Sequence, residues 1–219
     1  MPQGHIVLVG TSHIAKQSVR AVDAAIAEHK PAIIAIELDQ GRLAGLMNPT
    51  RERPRLRDIR HVGLTGFFFS ILGAWAERML GERVGTKPGA DMLHAVRLAQ
   101  QHNIPLALID RDIRITLKRL SSGLTWRERG RFVVDVVRAL LGGKGKLPFD
   151  LNTVPDDAVI EMLLRDVRVR YPNAYRVLVK ERNDHMARQL RHIAGSVDGT
   201  IIAVLGAGHI RDVQALLKQ

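Results

Sequence analysis

The sequence predicts an α/β fold with a mainly parallel central sheet flanked by helices, on three observations. Four short runs, residues 6–9, 32–36, 105–109 and 200–205, are continuously apolar, as strands buried on both faces are. Amphipathic helical patterns separate the first three. The connections are long enough for strand–helix–strand crossovers, which make neighbouring strands parallel.

Taken in order, Gly4-His-Ile-Val-Leu-Val-Gly10 reads as the first strand, with no basic lead or cleavage site that would make it a signal peptide. Ala15, Val19, Val22 and Ile26 then recur at helical spacing and form one apolar stripe. Met92, Ala95, Val96 and Ala99 repeat that pattern ahead of the third strand, and Gly89-Ala-Asp marks its start. Two longer segments, about 50–88 and 113–195, read as helical layers added to this core. Tyr171-Pro172 breaks the second of them, because proline lacks a backbone donor and clashes with the preceding turn. A Gly/Lys-rich loop falls near 141–146. The most apolar stretch, 63–76, is shorter than the roughly 18–20 residues that span a bilayer. The expectation is one α/β domain over residues 1–219.

Composition narrows the chemistry. The 219 residues carry 33 Lys plus Arg against 22 Asp plus Glu, a net charge of +11. Residues 1–50 are balanced, while 51–90, 91–150 and 151–219 carry +4, +5 and +2. The densest run is Arg51-Glu-Arg-Pro-Arg-Leu-Arg-Asp-Ile-Arg-His61. Its first reading is a solvated helical face whose arginine stems cover apolar surface. An anionic membrane surface comes next, because the run adjoins Phe67-Phe-Phe69 and Trp75. The same apolar stretch also suits core or a homo-oligomer contact. Nucleic acid ranks last: aromatics are 4% of residues, so stacking platforms are scarce, and acids interleave the bases. There is no cysteine, which excludes disulfides, thiolate nucleophiles and Cys-ligated metal. The expected location is the cytoplasm or the cytoplasmic face of a membrane.

Polar residues follow each apolar run: Gly10-Thr-Ser-His13, Glu37-Leu-Asp39, Asp110-Arg-Asp112 and Gly206-Ala-Gly-His209. Parallel strands would bring all four clusters to one carboxyl edge, where open α/β sheets place their ligand sites. The glycines ahead of each histidine permit a tight turn and a close backbone approach. Two histidines with carboxylates in one crevice suit either a metal site or general acid–base chemistry. Leu205-Gly-Ala-Gly-His-Ile210 resembles a dinucleotide fingerprint, but too few residues follow to complete the strand–helix–strand unit. No nucleotide cofactor is expected.

Several blocks together resemble the TraB/PrgY/GumN family, which is grouped with the Tiki proteases and erythromycin esterases. They are Val9-Gly-Thr-Ser-His13, Ile36-Glu-Leu-Asp-Gln-Gly-Arg-Leu43, Pro88-Gly-Ala-Asp-Met92, Leu108-Ile-Asp-Arg-Asp-Ile-Arg-Ile115 with Thr116-Leu-Lys, Glu181-Arg-Asn-Asp-His-Met186 and Gly206-Ala-Gly-His209. The blocks resemble most the TraB/PrgY branch, known from archaea and from a bacterial pheromone-shutdown protein. Asp91 stands where that branch leads one to expect Glu. The resemblance implies a metal-dependent, peptidase-like hydrolase. It places His13, Glu37 and His209 on the family's two histidines and glutamate, and Arg182 with Asn183 on its Arg-Asn pair. It also implies that this domain is the soluble part of a longer protein with a membrane-spanning C-terminal region.

On that reading His13, Glu37 and His209 would hold a divalent ion, Mn²⁺ or Zn²⁺. Glu37 would serve as ligand or base, His13 would stand at the reacting centre, and Arg111 or Arg182 would stabilise an oxyanion. Asp39, Arg42 and Asn183 would contact a peptide or small acyl substrate. Two alternatives remain open at this point. One is a metal-free, esterase-like hydrolase in which His13 activates water. The other is a protein that sequesters a peptide or small ligand without cleaving it.

Overall fold

Alternation along one strand sets the layers. In Thr200–Gly206, Ile202 and Val204 pack into one apolar cluster while Ile201, Ala203 and Leu205 pack into another, all fully buried. A strand buried on both faces belongs in the middle of a sheet, and that is where it lies. The computed structural model of the chain describes residues 4–11, 16–48, 89–141 and 157–219. Its strands β1 (His5–Thr11), β2 (Ile33–Ile36), β3 (Leu106–Leu108) and β4 (Thr200–Gly206) form one sheet in the order β1-β4-β2-β3. All three pairings are parallel. The carboxyl ends of all four strands therefore share one edge.

The helices are α1 (Lys16–His29), α2 (Gln40–Met47), α3 (Ala90–Gln101), α4 (Ile113–Gly123), α5 (Trp126–Leu141), α6 (Asp157–Arg170) and α7 (Pro172–Tyr175). A π-helical turn, Arg176–Lys180, then leads into α8 (Glu181–Ala194), and α9 (Ala207–Leu217) closes the chain. Val22 and Ile26 of α1 and Met92, Ala95, Val96 and Ala99 of α3 cover one face of the sheet against Ile34, Ile36, Ile202 and Val204. Met186, Ala187 and Leu190 of α8 and Val213 of α9 cover the other against Ala35, Ile201, Ala203 and Leu205. A smaller cluster of Leu120, Leu124, Ala174 and Val177 joins α4 to α7 and the π-helical turn.

Local chemistry fixes the ends of these elements. Asp39 caps α2 by accepting from the N–H groups of Gly41 and Arg42 at 2.8 and 3.1 Å. Asp112 caps α4 through the Arg114 N–H at 2.7 Å. Thr125 and Glu128 form a reciprocal capping box at the head of α5. Buried Glu128 also accepts from the Asn173 backbone N–H at 2.8 Å, tying α5 to α7. Gly199, at φ +110°, makes the turn into β4 that a side chain would strain.

The strands fall where their apolar runs predict, with β1 and β4 longer and β2 and β3 shorter by a residue or two. Helix α2 has no forecast in the sequence, because two glycines in Gln-Gly-Arg-Leu-Ala-Gly-Leu-Met dilute its pattern. The expected helical layer over 50–88 lies outside the described residues. The Arg51 to His61 run, Phe67, Phe68, Phe69 and Trp75 lie outside them too, and so does the Gly/Lys-rich loop beyond Leu141. Among the described residues no helix is long and apolar enough to cross a membrane.

Ile34, fully buried on the central strand β2, is a direct probe of this layering. Ile34→Ala is expected to lower unfolding free energy by about 2–5 kcal/mol, through lost burial and the cavity left behind. Urea denaturation followed by circular dichroism measures it.

Candidate functional site

At the shared carboxyl edge, β2 runs directly into Glu37 and β3 runs into Ile109 and Asp110. The Asp110 N–H bonds the Leu38 carbonyl at 3.3 Å, so the two carboxylates stand on adjacent strand ends. Both carboxylates are nearly buried, at 3% and 2% side-chain exposure, and would repel one another if nothing stood between them. Arg182 of α8 stands there. Its Nε and Nη2 grip the two Asp110 oxygens at 2.9 and 2.8 Å, a bidentate pair, and Nη2 also bonds Glu37 Oε1. Burial works against the charge on Arg182, but Glu37 and Asp110 outweigh it and raise the guanidinium pKa.

The imidazole of His209, in the first turn of α9, completes the cluster. Its Nε2 lies 3.2 Å from Glu37 Oε1 and 3.2 Å from Arg182 Nη1. Its Nδ1 lies 2.5 Å from Asn183 Oδ1. The Asn183 amide is oriented in turn by donating its Nδ2–H to Asp212 Oδ2 at 3.0 Å. An amide oxygen only accepts, so the ring carries a proton on Nδ1 and, when neutral, presents its Nε2 lone pair to the crevice. Glu37 Oε2 accepts the Gly206 N–H, which fixes the carboxylate against the strand–helix turn.

The remaining candidates are placed as follows. Arg42 reaches Asp110 Oδ2 at 3.3 Å, joining the cluster from α2. Asp39 serves as the cap of α2, and among the described residues its buried Oδ2 has no hydrogen-bond partner. Arg111 gives its backbone N–H to Asp110 Oδ1 at 2.8 Å. Its guanidinium is directed elsewhere, to Glu181 Oε2, Thr116 Oγ1 and the Val177 carbonyl at 2.8, 3.1 and 3.1 Å. His13 lies outside the described residues. The structure thus brings Glu37, Asp110, Arg182, Arg42, Asn183 and His209 together, while the Arg111 guanidinium braces α4 against α8.

Two parts of the site have no forecast in the sequence. Asp212, three residues past His209, sits one helical turn on and orients Asn183 from behind; that spacing was the available signal. The π-helical turn is the other. The Glu181 N–H bonds the Arg176 carbonyl five residues back. The Val177 and Leu178 carbonyls of this wide turn accept from Arg111 and Arg182.

As metal donors, His209 Nε2 and Glu37 Oε1 fit a divalent ion in type, with Arg182 standing on both atoms, and the Nδ1–H bond to Asn183 is the outer contact that such an imidazole ordinarily makes. Among the described residues no group of three or more His, Asp and Glu is placed to hold a metal ion, so a third protein ligand would have to come from outside them.

A family model described as the TraB/PrgY/gumN family matches residues 2–219. The chain is 31% identical over 216 residues to the uncharacterized protein MJ1365 of Methanocaldococcus jannaschii, covering 98% of this chain and 53% of that protein. It is 23% identical over 242 residues to a TraB domain-containing protein of Homo sapiens, covering 95% and 61%. A TraB domain-containing protein of Mus musculus is 22% identical over 244 residues, covering 95% and 61%. The chain therefore spans between half and two thirds of the length of these curated relatives.

Two outcomes follow from this geometry. Asn183→Leu removes the acceptor on His209 Nδ1, and ¹⁵N NMR of the ring is expected to show loss of the single Nδ1–H tautomer, with about 1–3 kcal/mol of destabilisation. The second concerns Glu181, whose pKa is held down to about 2 by the hydrogen bond from Arg119, with Arg111 adding to it against the cost of burial. A depressed carboxylate stabilises the fold above its unfolded value of 4.5 and loses that contribution as pH falls towards 2. Wild type should exceed Glu181→Gln in stability at pH 6, and the gap should close between pH 4.5 and 2 in denaturation series.

Proposed function

The chain belongs to the TraB/PrgY/gumN family, and from that premise we propose that it hydrolyses peptide or related acyl bonds with a divalent ion held by His13 and His209 and with Glu37 as the base. The observation that carries this reading is the His209 ring, locked through Nδ1 on Asn183 so that Nε2 faces Glu37 Oε1. A surface histidine needs no such orienting chain, whereas a ligand or base does. When bound, the ion would polarise the scissile carbonyl and make a water ionise more readily.

The chain's own groups supply the rest. Glu37, one oxygen fixed by the Gly206 N–H, is the base that takes the water proton through Oε1. Water oxygen joins the acyl carbon, the carbon–nitrogen bond breaks, and the proton passes from Glu37 to the departing amine. Arg182, anchored on Asp110, presents a fixed positive charge beside this centre for the developing oxyanion, a contribution commonly worth about 3–4 kcal/mol.

A second reading has its own support. Arg182 already places Nη1 on His209 and Nη2 on Glu37, so a resident cation serves both groups. That favours metal-free hydrolysis by the same imidazole and carboxylate.

The two readings separate in one experiment, in which metal content and cleavage of a mixed peptide library are measured for wild type and His209→Ala. Cleavage should vanish on exhaustive chelation and return with Mn²⁺ or Zn²⁺, and His209→Ala should lower metal occupancy and cleavage by at least about 100-fold. Cleavage that survives chelation selects the metal-free reading. Intact peptide recovered from a stable, metal-loaded complex would overturn hydrolysis altogether.

A further inference from the structure

Arg182 has no spare donor. A guanidinium carries five N–H groups and accepts nothing. Its Nε–H goes to Asp110 Oδ1 at 2.9 Å, and Nη2 supplies Asp110 Oδ2 at 2.8 Å and Glu37 Oε1. Its Nη1 supplies the Leu178 carbonyl and His209 Nε2, both at 3.2 Å. Five donors thus meet five acceptors on a side chain that is 16% exposed.

These contacts differ in kind. Four end on carboxylate or carbonyl oxygens, each with a second lone pair to offer. The fifth ends on an imidazole nitrogen that has one. Because Nδ1 gives its proton to Asn183, Nε2 is the acceptor atom of the ring, and Arg182 Nη1–H already holds its lone pair. Nε2 can therefore serve an ion only after Nη1–H has left it. The other edge of the fork need not follow. Nε and Nη2 make the bidentate grip on Asp110, so a tilt of the guanidinium about that edge lifts Nη1 from His209 while Asp110 stays paired. The two Nη1 contacts are also the longest of the five.

We propose that Arg182 sets the ion affinity of this site: its Nη1–H is a latch on His209 Nε2, held closed at rest and released when that nitrogen is ligated. In this role Arg182 acts through His209 and is a positioning residue. The proposal rests on the reading of His209 as an ion ligand, but not on hydrolysis.

Calorimetric titration with Zn²⁺ alone tests it in wild type and in Arg182→Lys, with folding checked by circular dichroism. Lysine keeps a positive charge between Glu37 and Asp110, but its Nζ lacks the fork and falls one atom short of the Nη1 position. Arg182→Lys should bind Zn²⁺ about tenfold or more tighter than wild type, the size expected for releasing one charge-assisted hydrogen bond. Adding His209→Ala should remove that gain, which assigns it to Nε2. Wild type alone supplies a second measurement that does not depend on how the variant folds. In ¹⁵N NMR, saturation with Zn²⁺ should shift His209 Nε2 and the Arg182 Nη1 protons while Arg182 Nε–H stays on Asp110. Equal affinity in wild type and Arg182→Lys, a gain that survives His209→Ala, or Arg182 Nη1 protons unmoved at saturation overturns the latch. Where His209 still binds Zn²⁺ in those cases, the metal-dependent reading stands. Zinc binding that His209→Ala leaves unchanged in both backgrounds overturns the two together. Tighter binding by Arg182→Lys with no peptide cleavage by wild type supports the latch and rejects only hydrolysis.

Discussion

One largely buried guanidinium holds the edge of this sheet together. Arg182 meets carboxylates from two adjacent strands and an imidazole from the helix that follows a third. Glu37 and Asp110 alone would place two negative charges side by side in a poorly solvated crevice, an arrangement in which one carboxylate is ordinarily forced to take a proton. The fixed cation between them offsets that repulsion. Removing one partner from a buried ion pair commonly costs about 3–5 kcal/mol, because the remaining charge is stranded. The strand ends, α8 and the head of α9 are thus coupled through one side chain, and the height of α8 along the sheet is constrained by where that side chain must reach.

The π-helical turn serves this constraint. Residues 176–180 widen the helix just before Glu181 and Arg182, and the carbonyls of Val177 and Leu178 take guanidinium N–H groups as partners. Arg111 crosses from the end of β3 to the same turn and to Glu181, so the segment carrying Arg182 is clamped at both its backbone and its acidic neighbour. A regular helix would leave those carbonyls engaged in its own ladder. The wider turn converts part of that ladder into attachment points for the site.

Much of this edge was legible beforehand because the signals are local. Apolar runs for β1 to β4 reflect burial on both faces, and a polar residue directly after such a run is conspicuous, so Glu37, Asp110 and His209 stand out as one edge. Strand order was not legible: nothing in residues 200–205 says that they enter between β1 and β2, since the choice depends on which helices cover each face. The partner of Arg182 was hidden for a similar reason, as 72 residues separate it from Asp110. Asp212 carried only the weak signal of one helical turn after His209. Helix α2 was masked by its glycines, although Asp39 ahead of it was visible and is its cap. His13 and Glu37 pair readily in a motif, but His13 falls outside the described residues, so that part of the reading stays with the resemblance.

The basic excess takes on a structural meaning once its donors are followed. Arg129 donates to the Ser121 carbonyl, Arg131 to the Arg170 carbonyl and Arg191 to the Leu216 carbonyl, each in or beside the last turn of a helix. Those carbonyls lie at the negative ends of their helix dipoles, so a cation there is stabilised without a carboxylate. Arginine in this chain is therefore used as a peptide-bond acceptor's partner as well as an acid's, which allows basic residues to outnumber acidic ones without leaving uncompensated charge on every face.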